Sequence, residues 1–366
     1  MRARLSTKAR ESRTVRRVSA AAHASTDRGT APATELAPST AAASASAWPP
    51  LPYEDWKDTH YALHRWTQIL GKIRLANTTL VNHAWNASLH VSPRGLTTGL
   101  VPNGGEAFQI DLDLVEHEFT VVTSRGGRAA FRLRPMSVAQ FYREVLDSLA
   151  RVGVPDPHIA AVPNEVAVAV PFRKDVDMRP YDRDAVQRFA AALLRTQIVF
   201  ERFRAGFLGK ASPVQFFWGS FDLASARFSG RRSPPYAGGT PPHVHPHVMH
   251  EAYSHELIAA GFWPGNADAP RAEYYAYAMP ALDGLPGARI EPAGAGWDAA
   301  RGEFLLPYDA VRTSADPAAT LLSFLESTYA AAADLGHWDR ALLEESVACE
   351  CEWIPPPLRR PPRWTP

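Results

Sequence analysis

Twice along this chain a helix-period run of apolar residues gives way, just after a Gly-Lys step, to strand-period alternation. That recurrence limits the possible folds more than any other feature. In the first copy, residues 66–100, the step is Gly71-Lys72, followed by Asn82 to Leu89 and then Arg94-Gly95-Leu96-Thr97-Thr98. In the second, residues 197–231, it is Gly209-Lys210, followed by Pro213 to Trp218 and Arg227-Phe228-Ser229-Gly230-Arg231. Further strand-like segments and an amphipathic helix complete each copy. Two similar helix–strands–helix halves are therefore expected, over residues 48–180 and 181–346, with internal duplication one way to produce them.

The periodicities place the elements. Asp55 is suited to cap a helix carrying Trp56, Leu63, Trp66, Ile69, Leu70 and Ile73 on one stripe. After Gly71 the period drops from about 3.6 to about 2. Trp85, Ala87, Leu89 and Val91 alternate with polar residues and predict a strand over 85–91. The same argument predicts strands over 108–114, 119–123 and 129–133, the last two joined by the Arg125-Gly126-Gly127 turn. Ser137 caps a helix with Val138, Phe141, Val145 and Leu149 inward, and a short extended segment follows near 166–170.

In the second half Asp182 opens a helix bearing Val186, Phe189, Leu193, Phe200, Phe203 and Phe207, closed at Gly209. Residues 214–221 are apolar on both faces and predict a central buried strand. Strands are also expected over 253–262, 274–279 and 304–308. Asp316-Pro317 starts a helix, the cap followed by a first-turn proline, and a short segment spans 338–345. The fold class is thus α+β, with mainly antiparallel sheets flanked by helices. The two halves either share one sheet or stand as separate lobes.

Charge and composition narrow the partners. Basic and acidic residues number 39 and 38 in a chain of 366. Residues 1–46 hold seven Arg and one Lys against three acids, about +5, leaving the remainder near −4. The globular part therefore gives no basic argument for nucleic acid as a partner. Ala, Ser, Thr and Arg dominate residues 1–47, too little apolar surface to offset ordering entropy, so this reads as a disordered tail. It lacks the apolar run of roughly 7–15 residues of a secretory signal. With no run of about 20 apolar residues the chain reads as soluble and cytoplasmic, without a membrane partner. Cys349 and Cys351 exclude a disulfide framework, and residues 347–366 form a Pro-rich tail.

Three groups of residues carry candidate chemistry. The loudest is the run His243, His245, His247, His250 and His255 with Glu251 and Glu256. Gly239, His245, His247 and Glu251 resemble the first metal motif of the cupins, which would make His245, His247 and Glu251 metal ligands. The following glycine of that motif is replaced by Ile258, and no second motif follows. Gly206 to Ser212 has the wrong spacing and order for a phosphate-binding loop, and a helix end with Lys210 near its dipole explains it. Polar residues set among aromatics form the third group. His255 and Glu256 are candidates for an acid/base pair, and Lys210, Trp218, Asp222, Arg227 and Trp263 for lining a ligand pocket in the second half. Buried charges of this kind also serve as structural pairs. Among the strands, Asp111, Asp113, Arg132 and Arg134 read as solvated cross-strand charge pairs.

Longer segments carry a family resemblance. They are Gln68 to Ala76, Arg94 to Thr98, Gly209 to Val214, Phe217-Trp218-Gly219-Ser220-Phe221-Asp222-Leu223 and Arg227 to Arg231, then Tyr253-Ser254-His255-Glu256, Gly261 to Gly265 and Leu306-Pro307-Tyr308. Together these make the chain resemble a bacterial domain-of-unknown-function family, number 5996, over roughly residues 51–345. The resemblance implies a soluble, single-unit bacterial protein. It carries no activity, cofactor or catalytic residue, and the motif at Tyr253 leaves His243 to His250 outside it. The sequence therefore points to a small-molecule-binding protein or enzyme, with a metal-dependent enzyme or a non-catalytic interaction module as the alternatives. Cofactor and oligomeric state stay unknown.

Overall fold

A computed structural model describes residues 48–344; the expected tails at 1–47 and 347–366, with Cys349 and Cys351, lie outside the described residues. Helix α1 (Tyr53–Asn77) does not stop at Gly71 but runs through it. The glycine is there for closeness rather than termination: a Cβ on Gly71 would stand 2.1 Å from the Trp218 indole. The strand expected over 85–91 is mostly absent. Asn86 accepts from Val81 N–H and donates to Thr78, locking a local turn that competes with extended chain. A 3-10 turn (Asn82–Ala84) occupies this stretch, and strand geometry begins only at β1 (His90–Ser92).

β2 (Gly95–Thr97), β3 (Val101–Asn103), β4 (Glu106–Asp113), β5 (Glu118–Thr123) and β6 (Arg128–Arg132) complete the first antiparallel sheet. Its order is β1-β2-β4-β5-β6, with β3 also on β4. α2 (Val138–Arg151) follows, and its expected cap Ser137 accepts from Gln140 N–H. No strand forms near 166–170; the chain there is an irregular connection. The expected cross-strand charges pair elsewhere. Asp113 binds Arg94, and Arg134 reaches Glu144 on α2.

α3 (Arg183–Ala205) is capped by Asp182, whose side chain accepts from Ala185 N–H. The stretch 214–221 is not one central strand. β7 (Gln215–Phe217) sits at the sheet edge, the chain turns where Phe221 has φ 64°, and β8 (Asp222–Arg232) returns beside it. After α4 (Pro246–Ala252) come β9 (His255–Trp263), β10 (Glu273–Met279), β11 (Gly296–Asp298) and β12 (Glu303–Pro307). The second sheet is also antiparallel, ordered β11-β12-β10-β9-β8-β7. The helices α5 (Tyr308–Arg312), α6 (Pro317–Leu335) and α7 (Arg340–Leu343) close the described chain. Among the described residues no helix is long and apolar enough to cross a membrane.

The two sheets meet at their first strands. Leu89 and Phe216 exchange backbone hydrogen bonds of 2.9 and 2.8 Å, a single bridge between the halves. Side chains then form one core across both. Trp66 stacks on Phe141 at 4.6 Å in the first half, while Phe189 of α3 contacts Trp56, Phe216 and Phe221. α3 and α6 cover one face of the second sheet, where Tyr274 bonds Thr196. The opposite face of that sheet carries a separate, smaller apolar cluster around Phe228, Leu257 and Ala259.

Candidate functional site

Strand alternation decides what this outer face presents. From β8 it receives Asp222, Ala224, Ala226 and Phe228; from β9, Leu257, Ala259, Gly261 and Trp263; from β10, Tyr275, Tyr277 and Met279. Ala224 pairs with Gly261 and Ala226 with Ala259, so the middle of the face is a floor of the smallest side chains. Tyr275 lies across that floor: a Cβ on Gly261 would stand 2.2 Å from its ring.

Acids and phenols gather at one end. Asp222 is buried and accepts from both Ser220 Oγ and Tyr275 OH. Glu165 comes from the irregular connection, with φ at 59° and its N–H donating to Pro242 O at 2.8 Å. The residue is exposed overall, yet its carboxyl stands against Gly219, where a Cβ would come within 2.0 Å of Oε1. Burial, then the charge of Asp222, pushes the Glu165 carboxyl up to about 7. Burial also raises Asp222, opposed by its hydrogen bonds from Ser220 and Tyr275. Neither carboxyl takes part in an ion pair within the described residues. Tyr253 and Tyr277 share a hydroxyl contact of 3.3 Å, and Tyr236 stacks on Tyr253. Farther along, burial holds Glu303 at about 7 against the pull of Arg301, which binds Glu273 and lies over Trp263.

Helix α1 fixes this end from behind. Gln68 exchanges hydrogen bonds of 2.9 and 2.7 Å with the backbone of Asn164, and Lys72 donates to Asn164 Oδ1 at 2.6 Å. His64 Nε2 bonds Gly219 O at 2.8 Å. These buried side chains anchor the two segments that bring Glu165 to Asp222. Desolvation lowers Lys72 to about 8. A carboxyl titrating near neutrality beside Asp222 is a group able to give or take a proton at physiological pH.

The expected site residues are dispersed. Asp222 and Trp263 lie on the acidic side of the face; Lys210 and His255 lie at its other end, with His83, Trp85 and Phe228. Trp218 is buried over Gly71, donating from Nε1 to Ala87 O at 2.7 Å. Arg227 points to the helix-covered side, stacked on Phe203 at 3.5 Å and over Tyr329, and burial lowers it to about 10. His255 and Glu256 are strand neighbours and therefore face opposite ways. Glu256 accepts from Ser229 and Arg231, each at 2.8 Å, so the expected His–Glu pair is not formed. His245 caps α4 by accepting from His247 N–H, while Glu251 accepts from His83 N–H. His245 and Glu251 are thus engaged in other hydrogen bonds, His247 contributing only its backbone N–H, and no three such groups are placed to hold a metal among the described residues. Glu165 escaped the sequence reading because its partners lie far along the chain. Its nearest legible signal was the polar pair Gln68 and Lys72 on the apolar stripe side of helix α1, where both are buried.

Residues 48–345 match the model of a family of unknown function, DUF5996, and the chain belongs to that family. No curated protein and no solved structure matches it.

Proposed function

We propose that this member of the DUF5996 family binds a small organic molecule on the outer face of its second sheet, with an amine or similar cation at the Asp222 end. The observation that carries the reading is the Glu165 carboxyl set against Gly219 within the electrostatic reach of buried Asp222, neither carboxyl having an ion-pair partner among the described residues. Uncompensated like charge is costly at a site partly removed from water, and a bound cation would relieve it. The surrounding phenols of Tyr253, Tyr275 and Tyr277 suit an ammonium group as well, through ring faces and hydroxyl acceptors. The Ala224, Ala226, Ala259 and Gly261 floor, with the Tyr275 ring lying across it, suits contact with an apolar body.

Calorimetric titration with primary amines of increasing alkyl length, at matched ionic strength, tests this. Saturable binding that tightens with chain length is expected, weakened at least about tenfold in Tyr277→Phe, a loss of about 1.4 kcal/mol. Amines that bind no better than sodium chloride would overturn it. So would equal binding in Asp222→Asn and parent.

A further inference from the structure

At the far end of the same face, around Phe228, His83 is held with unusual completeness. Its backbone is left-handed at φ 59°, as is that of Ala84 at 56°, conformations that cost a non-glycine residue energy and need outside support. Glu251 gives that support twice: its carboxylate accepts from His83 N–H at 3.1 Å, and its carbonyl faces His83 Nδ1 at 2.9 Å. A carbonyl oxygen only accepts, so Nδ1 carries the proton and Nε2 presents a lone pair. That lone pair receives Lys210 Nζ at 2.7 Å. The ammonium also sits over the faces of Phe228 and Trp85, 5.0 and 5.4 Å from their centres.

An ammonium has three hydrogens, and His83 takes one. Among the described residues Lys210 makes no ion pair; Glu251 acts on it through its charge while accepting from the His83 amide. His255 stands edge-on to His83 at 5.8 Å, its Nδ1 bonded to Ser254. Arg232 pairs with His255 in the strand register and adds a second cation at the rim, while Glu256 faces the other side of the sheet. The arrangement aims an ammonium with N–H donors to spare, and no direct ion pair among the described residues, onto the outer face. We propose that Lys210, positioned by His83 and flanked by His255, forms a subsite for an oxyanion, the carboxylate or phosphate group of a ligand. It stands on residues separate from the Asp222 end, so either can fail alone.

Titration of the full chain with sodium phosphate, and separately with sodium acetate, each against sodium chloride at matched ionic strength, tests the assignment. Saturable one-to-one binding of at least one oxyanion is expected. It should weaken at least about tenfold in Lys210→Gln and stay unchanged in Lys57→Gln, whose lysine is exposed and paired with Glu54. Phosphate alone would mark a phosphorylated ligand, and acetate at least as strongly a carboxylate; both support the subsite. Because Lys210 is exposed, Lys210→Gln should fold. His255→Asn, the second variant, should weaken binding by a smaller factor. Binding no stronger than chloride in the parent, or unaltered in Lys210→Gln, would overturn it.

Discussion

Replacing Gly71 by alanine sets two principles against each other, and the sign of the result decides between them. In the middle of a helix, Gly→Ala ordinarily stabilises by about 1 kcal/mol. At Gly71 the new methyl would fall 2.1 Å from the Trp218 indole, which is itself buried and bonded to Ala87 O. Overpacking costs about 1–3 kcal/mol, and displacing the indole forfeits a hydrogen bond worth about 1 kcal/mol. Less the propensity gain, Gly71→Ala should destabilise by about 2 kcal/mol. Urea unfolding followed by far-ultraviolet circular dichroism reads this as a lowered midpoint at unchanged slope. The decisive arm is Trp218→Leu. With the indole gone, Gly71→Ala should turn neutral or stabilising, a coupling of about 2–3 kcal/mol across the cycle. A stabilised single variant, or an equal cost in both backgrounds, would refute the close-approach account of this glycine.

Two further expectations concern stability. Glu303 is harder to ionise folded than unfolded, moving from 4.5 to about 7. Its contribution is therefore full below about 4.5 and lost as pH rises through about 7, so the stability of the parent relative to Glu303→Gln should fall by up to ~3 kcal/mol across that window. Urea midpoints of the pair at several pH values check it, and a flat or rising difference would contradict the raised value. Asp316 accepts from Ala319 N–H at the start of α6, so Asp316→Ala should cost about 1 kcal/mol and Asp316→Asn much less, as read by thermal melts. Equal losses in both variants would show that charge rather than the cap matters.

Most of the architecture was legible because its signals are local. Ser137, Asp182 and Asp316 each accept the backbone bond their position predicts, and the alternation of 108–114 and 119–123 reappears in β4 and β5. Failures came where local and distant demands conflict. Gly71 reads as a stop until Trp218 is placed against it, and β8 hid behind Ala224, Ser225 and Ala226, whose small side chains give weak periodicity. The candidate site was legible only in part. Asp222, Lys210, His255 and Trp263 do share the outer face, since they lie in or beside strands of that sheet. Glu256 and Arg227 were lost to the face because adjacent strand positions alternate, which composition cannot reveal. Glu165 sits in a connection without periodicity, fixed by bonds from α1 that only the folded chain brings near.

The bridge between Leu89 and Phe216 has a consequence for how the protein behaves in company. An unpaired sheet border is a template on which another chain can add a strand, and aggregation begins there. By meeting, β1 and β7 partly close one such border on each sheet. The borders left at the outer ends are poor templates: β6 carries Arg128 and Arg132, and β11 is only three residues long. Charge and shortness guard the outside, while a joint one residue pair wide guards the middle. Loss of that pair would expose two sticky margins at once, so its small size understates what it protects.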